Sequence, residues 1–145
     1  MDGIRLTLPQ PLSSYAVALG EEDVLAYKIE LMEDGNYVRL TLGSVLTKKD
    51  HEEFRAKALA ALADTGWSKV LIDTRQADPE MSIFDDYKFT SDHQSHLPPE
   101  LRTAIVYHVD EAKRYQFIED VALNRGVNIR TFTDETQALT WLQHG

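Results

Sequence analysis

Nineteen residues near the carboxyl end, Asn124 to Leu142 (NRGVNIRTFTDETQALTWL), constrain the fold more than any other part of this chain. Gly126 is suited to the left-handed conformation that closes a helix. Val127, Ile129 and Thr131 then fall on one face of an extended segment, with Asn128, Arg130 and Phe132 on the other. Asp134, with Gln137 three residues on, matches a capping box ahead of Ala138, Trp141 and Leu142 at helical spacing. Helix end, strand and helix start in so short a space define an α/β unit, and the same grammar recurs upstream.

The run KVLIDT, Lys69 to Thr74, is short and nearly continuous in apolar residues, as expected of a strand buried on both faces of a parallel sheet. Leu101 to Val109, containing TAIVYHV, reads as a second such strand. A helix from about Asp110 to Arg125 follows it, with Tyr115, Ile118, Val121 and Ala122 inward. Strand, helix and strand in succession imply right-handed crossovers within one sheet. Ahead of them, YKIELMED and YVRLTLG flank Gly35 and Asn36 as a β-hairpin, with Tyr27, Ile29 and Leu31 on one face and Val38, Leu40 and Leu42 matching on the partner. Thr47 is the expected N-cap of a helix through Ala63, whose stripe of Phe54, Ala58, Ala61 and Leu62 is inward. Lys48, Lys49, Asp50, Glu52 and Glu53 are expected to face water.

Between the two buried strands, Ser82 is a candidate cap for a helix carrying Ile83, Phe84, Tyr87 and Leu97, which Pro98 and Pro99 terminate. The expected architecture is α/β: a single domain with a mixed, mostly parallel sheet and an N-terminal β-hairpin, in the order ββαβαβαβα. Residues 1–26 form an N-terminal extension, read as an extra strand or a dimer arm, and residues 27–145 form the domain. Pro9 and Pro11 confine any first strand to a sheet edge. An exposed hairpin edge and such an arm both favour a homodimer.

A chain of 145 residues fits one domain able to bury roughly two-thirds of its unfolded surface. With no cysteine it has neither disulfide nor thiolate chemistry, and the reducing cytoplasm is the expected compartment. The start, MDGIRLTLPQ, has neither the basic region of a secretory signal nor the apolar length of a membrane span. Fifteen Lys and Arg against twenty-four Asp and Glu leave a net charge of −9, which repels phosphate backbones and argues against nucleic acid as a partner.

Candidate chemistry is sparse. Asp73 and Arg75 mark the carboxyl end of the KVLIDT strand, where ligands of open α/β sheets bind, although a local ion pair explains them more simply. His108 sits in an apolar strand and reads as a core histidine satisfied by a backbone group rather than a catalytic base. No GxSxG elbow accompanies it. His93, His96 and Asp92 fall short of a metal-ligand set, and the consecutive Asp85 and Asp86 diverge by about 100° on a helix. The seven glycines form no phosphate loop, and Trp67 and Trp141 read as core or rim packing. No metal or cofactor is expected.

Taken together, the hairpin AYKIELMEDGNYVRLTL, the strand KVLIDTR and above all IEDVALNRGVNIRTFTDETQALTWL resemble the SpoIIAA-like proteins, relatives of the STAS fold also grouped with SEC14 or CRAL-TRIO lipid-binding domains. The resemblance spans about Ala26 to Gly145 and leaves residues 1–26 outside. It implies a mixed sheet with packed helices and a non-enzymatic regulatory or protein-interaction module. STAS relatives switch by phosphorylation of a Ser in an Asp-Ser-Ser-Gly segment at a helix N-terminus. Here the corresponding ADPEMSIFDD offers only Ser82, without that segment. The SEC14 side implies an apolar or lipid ligand, lined by Phe84, Tyr87 and Phe89. The expected ligand or partner region is therefore Asp73, Arg75, Ser82, Phe84, Tyr87 and Phe89, with Ser82 its modifiable residue. A small hydrolase or isomerase is the remaining alternative, and it requires Asp73 and His108 to converge on one pocket.

Overall fold

Alternation of apolar residues at period two sets the hairpin, and the parallel strands extend the sheet from it one after another. The computed structural model of the protein describes residues 14–19, 24–43, 47–77 and 100–144. Its elements run β1 (Ser14–Leu19), β2 (Val24–Met32), β3 (Tyr37–Leu42), α1 (Lys48–Thr65), β4 (Lys69–Asp73), β5 (Arg102–Val106), α2 (Ala112–Asn124), β6 (Ile129–Phe132) and α3 (Glu135–His144). The strands lie side by side in chain order in one mixed sheet. β1–β2 and β2–β3 are antiparallel, and the three pairings from β3 to β6 are parallel. Ser14–Leu19, within the segment read as an extra strand or arm, thus forms an edge strand against β2 of the same chain. The helix expected from Ser82 lies outside the described residues.

In the hairpin, Tyr27, Ile29 and Leu31 face Leu42, Leu40 and Val38 across the ladder. The turn places Asn36 at φ 57°, a left-handed position that asparagine tolerates well. Gly35 leaves room for a close approach: a Cβ there would displace the end of the Gln143 side chain, whose Nε2 donates to the Gly35 carbonyl at 3.0 Å. The tip of the hairpin is thereby tied to the last turn of α3.

Thr47 accepts from the Asp50 backbone N–H at 3.0 Å, and the Asp50 carboxylate accepts from the Thr47 N–H at 2.9 Å, a reciprocal capping box. Asp50 is therefore buried rather than facing water as the charge pattern suggested, because its carboxylate satisfies an orphan donor at the helix start. Replacing Thr47 with alanine should cost about 1 kcal/mol, read as a lower urea midpoint at unchanged slope. α1 runs to Thr65, two residues beyond the expected Ala63, where Gly66 at φ 78° donates to the Leu62 carbonyl and closes it.

The sheet separates two apolar layers. On one face Phe54 and Leu62 of α1 and Tyr115, Ile118 and Ala122 of α2 pack on Ile29, Leu40 and Ile105. On the other, Ala138 and Leu142 of α3 cover Leu71, Ala104 and Val106. β5 ends at Val106, earlier than the expected Val109, because Val109–Glu111 turns into a short 3-10 helix ahead of α2. Gly126, at φ 73°, follows α2, and the Val127 N–H reaches back to the Ala122 carbonyl at 2.9 Å. The Asp134 carboxylate then accepts from the Gln137 N–H at 3.0 Å and opens α3. Among the described residues no helix is long and apolar enough to cross a membrane.

Candidate functional site at the carboxyl end of the parallel strands

Strand parity decides what reaches the sheet end. Because Val38 and Leu40, and likewise Val70 and Ile72, face α1 and α2, Arg39 between the first two and Asp73 after the second two are turned toward α3. Glu135, in the first turn of α3, meets them there. The Arg39 guanidinium donates to Glu135 at 2.6 Å through Nη1 and to Asp73 at 3.0 Å through Nη2. Arg75 closes the set: its Nε and Nη2 donate to the two Asp73 oxygens at 2.9 and 2.8 Å, and Nη2 also donates to Glu135 at 3.0 Å. The Arg75 backbone N–H adds a bond to Asp73 Oδ1 at 3.0 Å.

Two cations and two carboxylates are thus interlocked, with Asp73 only 7% exposed. Burial works to raise the Asp73 pKa, but the side-chain and backbone bonds from Arg75, with the charges of Arg75 and Arg39, outweigh it and hold the carboxyl below its usual range. The bond to Asp73 in turn pushes the Arg75 pKa up despite partial burial. The local ion pair expected of Asp73 and Arg75 is present, enlarged by two partners from β3 and α3.

Thr74, next in sequence, points to the opposite face. Its Oγ1 donates to the Val106 carbonyl at 2.9 Å, fixing the chain where β4 leaves the sheet. There a cleft of about 190 Å³ is lined by Thr74, Arg75, Ala77, His108, Asp110, Glu111 and Tyr115. The Tyr115 ring stacks on Tyr107 with centroids 4.9 Å apart, and burial raises its pKa although its bond to Thr74 opposes the shift.

His108 is not the core histidine expected of an apolar strand. It lies beyond β5 with its side chain 58% exposed, and Nδ1 accepts from the Asp110 N–H at 3.2 Å, capping the 3-10 turn. The apolar run misleads because the strand stops two residues earlier. Asp73 and His108 are not brought together: His108 lines the cleft, whereas Asp73 is bound into the ion network and is not among the lining residues. Ser82, Phe84, Tyr87 and Phe89 lie outside the described residues, as do Asp85, Asp86, Asp92, His93 and His96.

Trp67 and Trp141 are half-buried against the two cores, and the Arg102 guanidinium lies 4.0 Å above the Trp141 ring. Arg39, Glu135, Thr74 and Tyr115 join the site without a motif that marks them in the sequence. Arg39 carried one local signal, a cation between Val38 and Leu40 in an otherwise apolar strand. Its partners, 34 and 96 residues away, gave none.

A family model described as SpoIIAA-like matches residues 37–143. Among solved structures, an uncharacterised protein of the DUF3478 family with a SpoIIAA-like fold, from Shewanella loihica PV-4, is similar at 25% identity. The likeness covers 81% of this chain and 92% of that one, with a TM-score of 0.54. No curated protein matches the chain.

Proposed function

Because this chain belongs to the SpoIIAA-like family, we propose that it is a non-enzymatic regulatory module that docks a protein partner at the carboxyl end of its parallel strands. The observation that carries this reading is the state of Asp73. A general base needs a free lone pair and a pKa near the working pH. Asp73 has its oxygens occupied by two arginines and its pKa held down. The carboxylate best placed for chemistry is engaged in fixing a surface, which suits recognition better than turnover.

The docking region extends from Asp73 and Arg75 along the sequence to Ser82, Phe84, Tyr87 and Phe89, with Ser82 the residue open to phosphorylation in the manner of STAS relatives. In this reading the module is cytoplasmic and a homodimer; the edge position of β1 supports the self-pairing alone. In the second reading the same region binds an apolar or lipid ligand, as the resemblance to SEC14 domains implies.

Photo-crosslinking in the host cell tests the docking surface. A benzophenone side chain at Gln76, beside the cleft, should capture one recurrent protein that the same probe at Asn124, at the far end of α2, does not. Identical products from both sites, or none, would remove the reading. Native mass spectrometry of the purified full chain separates the alternatives: a dimer with a phosphoryl adduct at Ser82 supports the regulatory module, and a retained apolar adduct supports the carrier.

A further inference from the structure

The ion network occupies the α3 side of the sheet end, and the cleft next to it is lined by groups of both charges. Arg75 is the cation of that lining. Its Nε and Nη2 are directed to Asp73 and Glu135, and Nη1 is the guanidinium nitrogen not drawn into those bonds. Asp110 and Glu111, on the 3-10 turn, are the two acidic residues of the same lining. Glu111 is shared with Arg114 at 3.4 Å, a partly exposed pair of the kind a bound ammonium can join. His108 lines the cleft with them. Its Nδ1 accepts from the Asp110 N–H at 3.2 Å and lies 3.5 Å from the Asp110 carboxylate, so Nε2 is the ring nitrogen outside those contacts. Tyr115, also in the lining, is held in place by its stack on Tyr107 and its bond to Thr74.

We propose that this cleft binds a small zwitterion of amino-acid size, its carboxylate toward Arg75 and His108 and its ammonium toward Asp110 and Glu111. A simple anion would meet Arg75 but also two carboxylates, and a simple cation would meet the carboxylates but also Arg75. A ligand bearing both charges complements the whole of this mixed lining. The volume of about 190 Å³ lies below the roughly 300–1,000 Å³ of pockets for drug-sized molecules, which restricts the ligand to a small one. This site shares Arg75 with the proposed docking surface but needs no partner, since the chain alone supplies every group.

The test is a titration of the isotopically labelled full chain with each of the common L-amino acids, with propionate and propylamine as single-charge controls, followed through backbone amide resonances. At least one amino acid should shift the amides of Arg75, Ala77, Asp110 and Glu111 saturably, with a Kd of about 1 mM or tighter. Neither control should do so. In Glu111→Gln and Asp110→Asn, both surface changes expected to leave the spectrum dispersed, the affinity should fall roughly tenfold. Absence of any saturable shift, equal response to either control, or unchanged affinity in both variants would overturn the proposal.

Discussion

Asp73→Ala should destabilise the folded chain by about 3 kcal/mol, because it removes the most buried carboxylate of the network and leaves Arg39 and Arg75 sharing Glu135 as their one close carboxylate. Arg39, with its side chain 15% exposed, is the partner left in the worst position. The loss would appear as a lower urea midpoint at constant slope. A midpoint within error of the parent would mean that solvent already screens the four charges. The effect has a defined pH window. The folded-state pKa of Asp73 lies below its ordinary value of 3.8, so its contribution is complete above that value and is lost as the pH falls through the folded pKa. The gap between parent and Asp73→Asn should therefore be constant from pH 5 to 8 and close only below about pH 4. Replacing Arg39, Asp73, Arg75 and Glu135 together with apolar residues should cost less than Asp73→Ala alone, since no charge is then left stranded.

Phe54→Ala should cost about 3–5 kcal/mol, a large part of the roughly 5–15 kcal/mol that holds a domain folded. Phe54 is 1% exposed, meets the edge of Tyr27 at 5.5 Å and lies 5.1 Å from the His51 ring. Its loss opens a cavity between α1 and the hairpin that neither element can close without leaving its ladder. A thermal midpoint lower by roughly 10–15 °C is the expected reading. Tyr27 reports the same event independently. Its pKa is pushed up to about 12, chiefly by burial and further by the charge and hydrogen bond of Glu53. If the cavity admits water, ultraviolet titration of Phe54→Ala should show that phenol ionising closer to its ordinary value of 10. An unchanged titration with a large stability loss would indicate a dry cavity.

The amino-acid sequence by itself determined whatever depends on neighbours a few residues apart. Tyr27, Ile29, Val38 and Leu40 had to share a face because side chains alternate along a strand. Thr47 and Asp134 had to cap helices because a side-chain oxygen there reaches an orphan N–H within one turn. Gly126 marked the end of α2 by its tolerance of φ 73°. Local signals of this kind carried the parallel sheet and the family resemblance. They failed where a local pattern served two purposes: Asp50 looked like a solvated charge and is a cap, and His108 looked like part of a strand and begins the next turn.

Only the tertiary structure decided which groups meet at the sheet end. Arg39, Asp73, Arg75 and Glu135 come from β3, the end of β4 and the start of α3, and the separation of 96 residues between Arg39 and Glu135 leaves no periodicity to read. Their meeting follows from the register of β3 on β4 and from α3 packing over Leu71 and Val106. The physical reason is the range of the interactions: capping and alternation act within a turn or a strand, whereas an ion network or a cleft forms only after long-range packing has positioned its members.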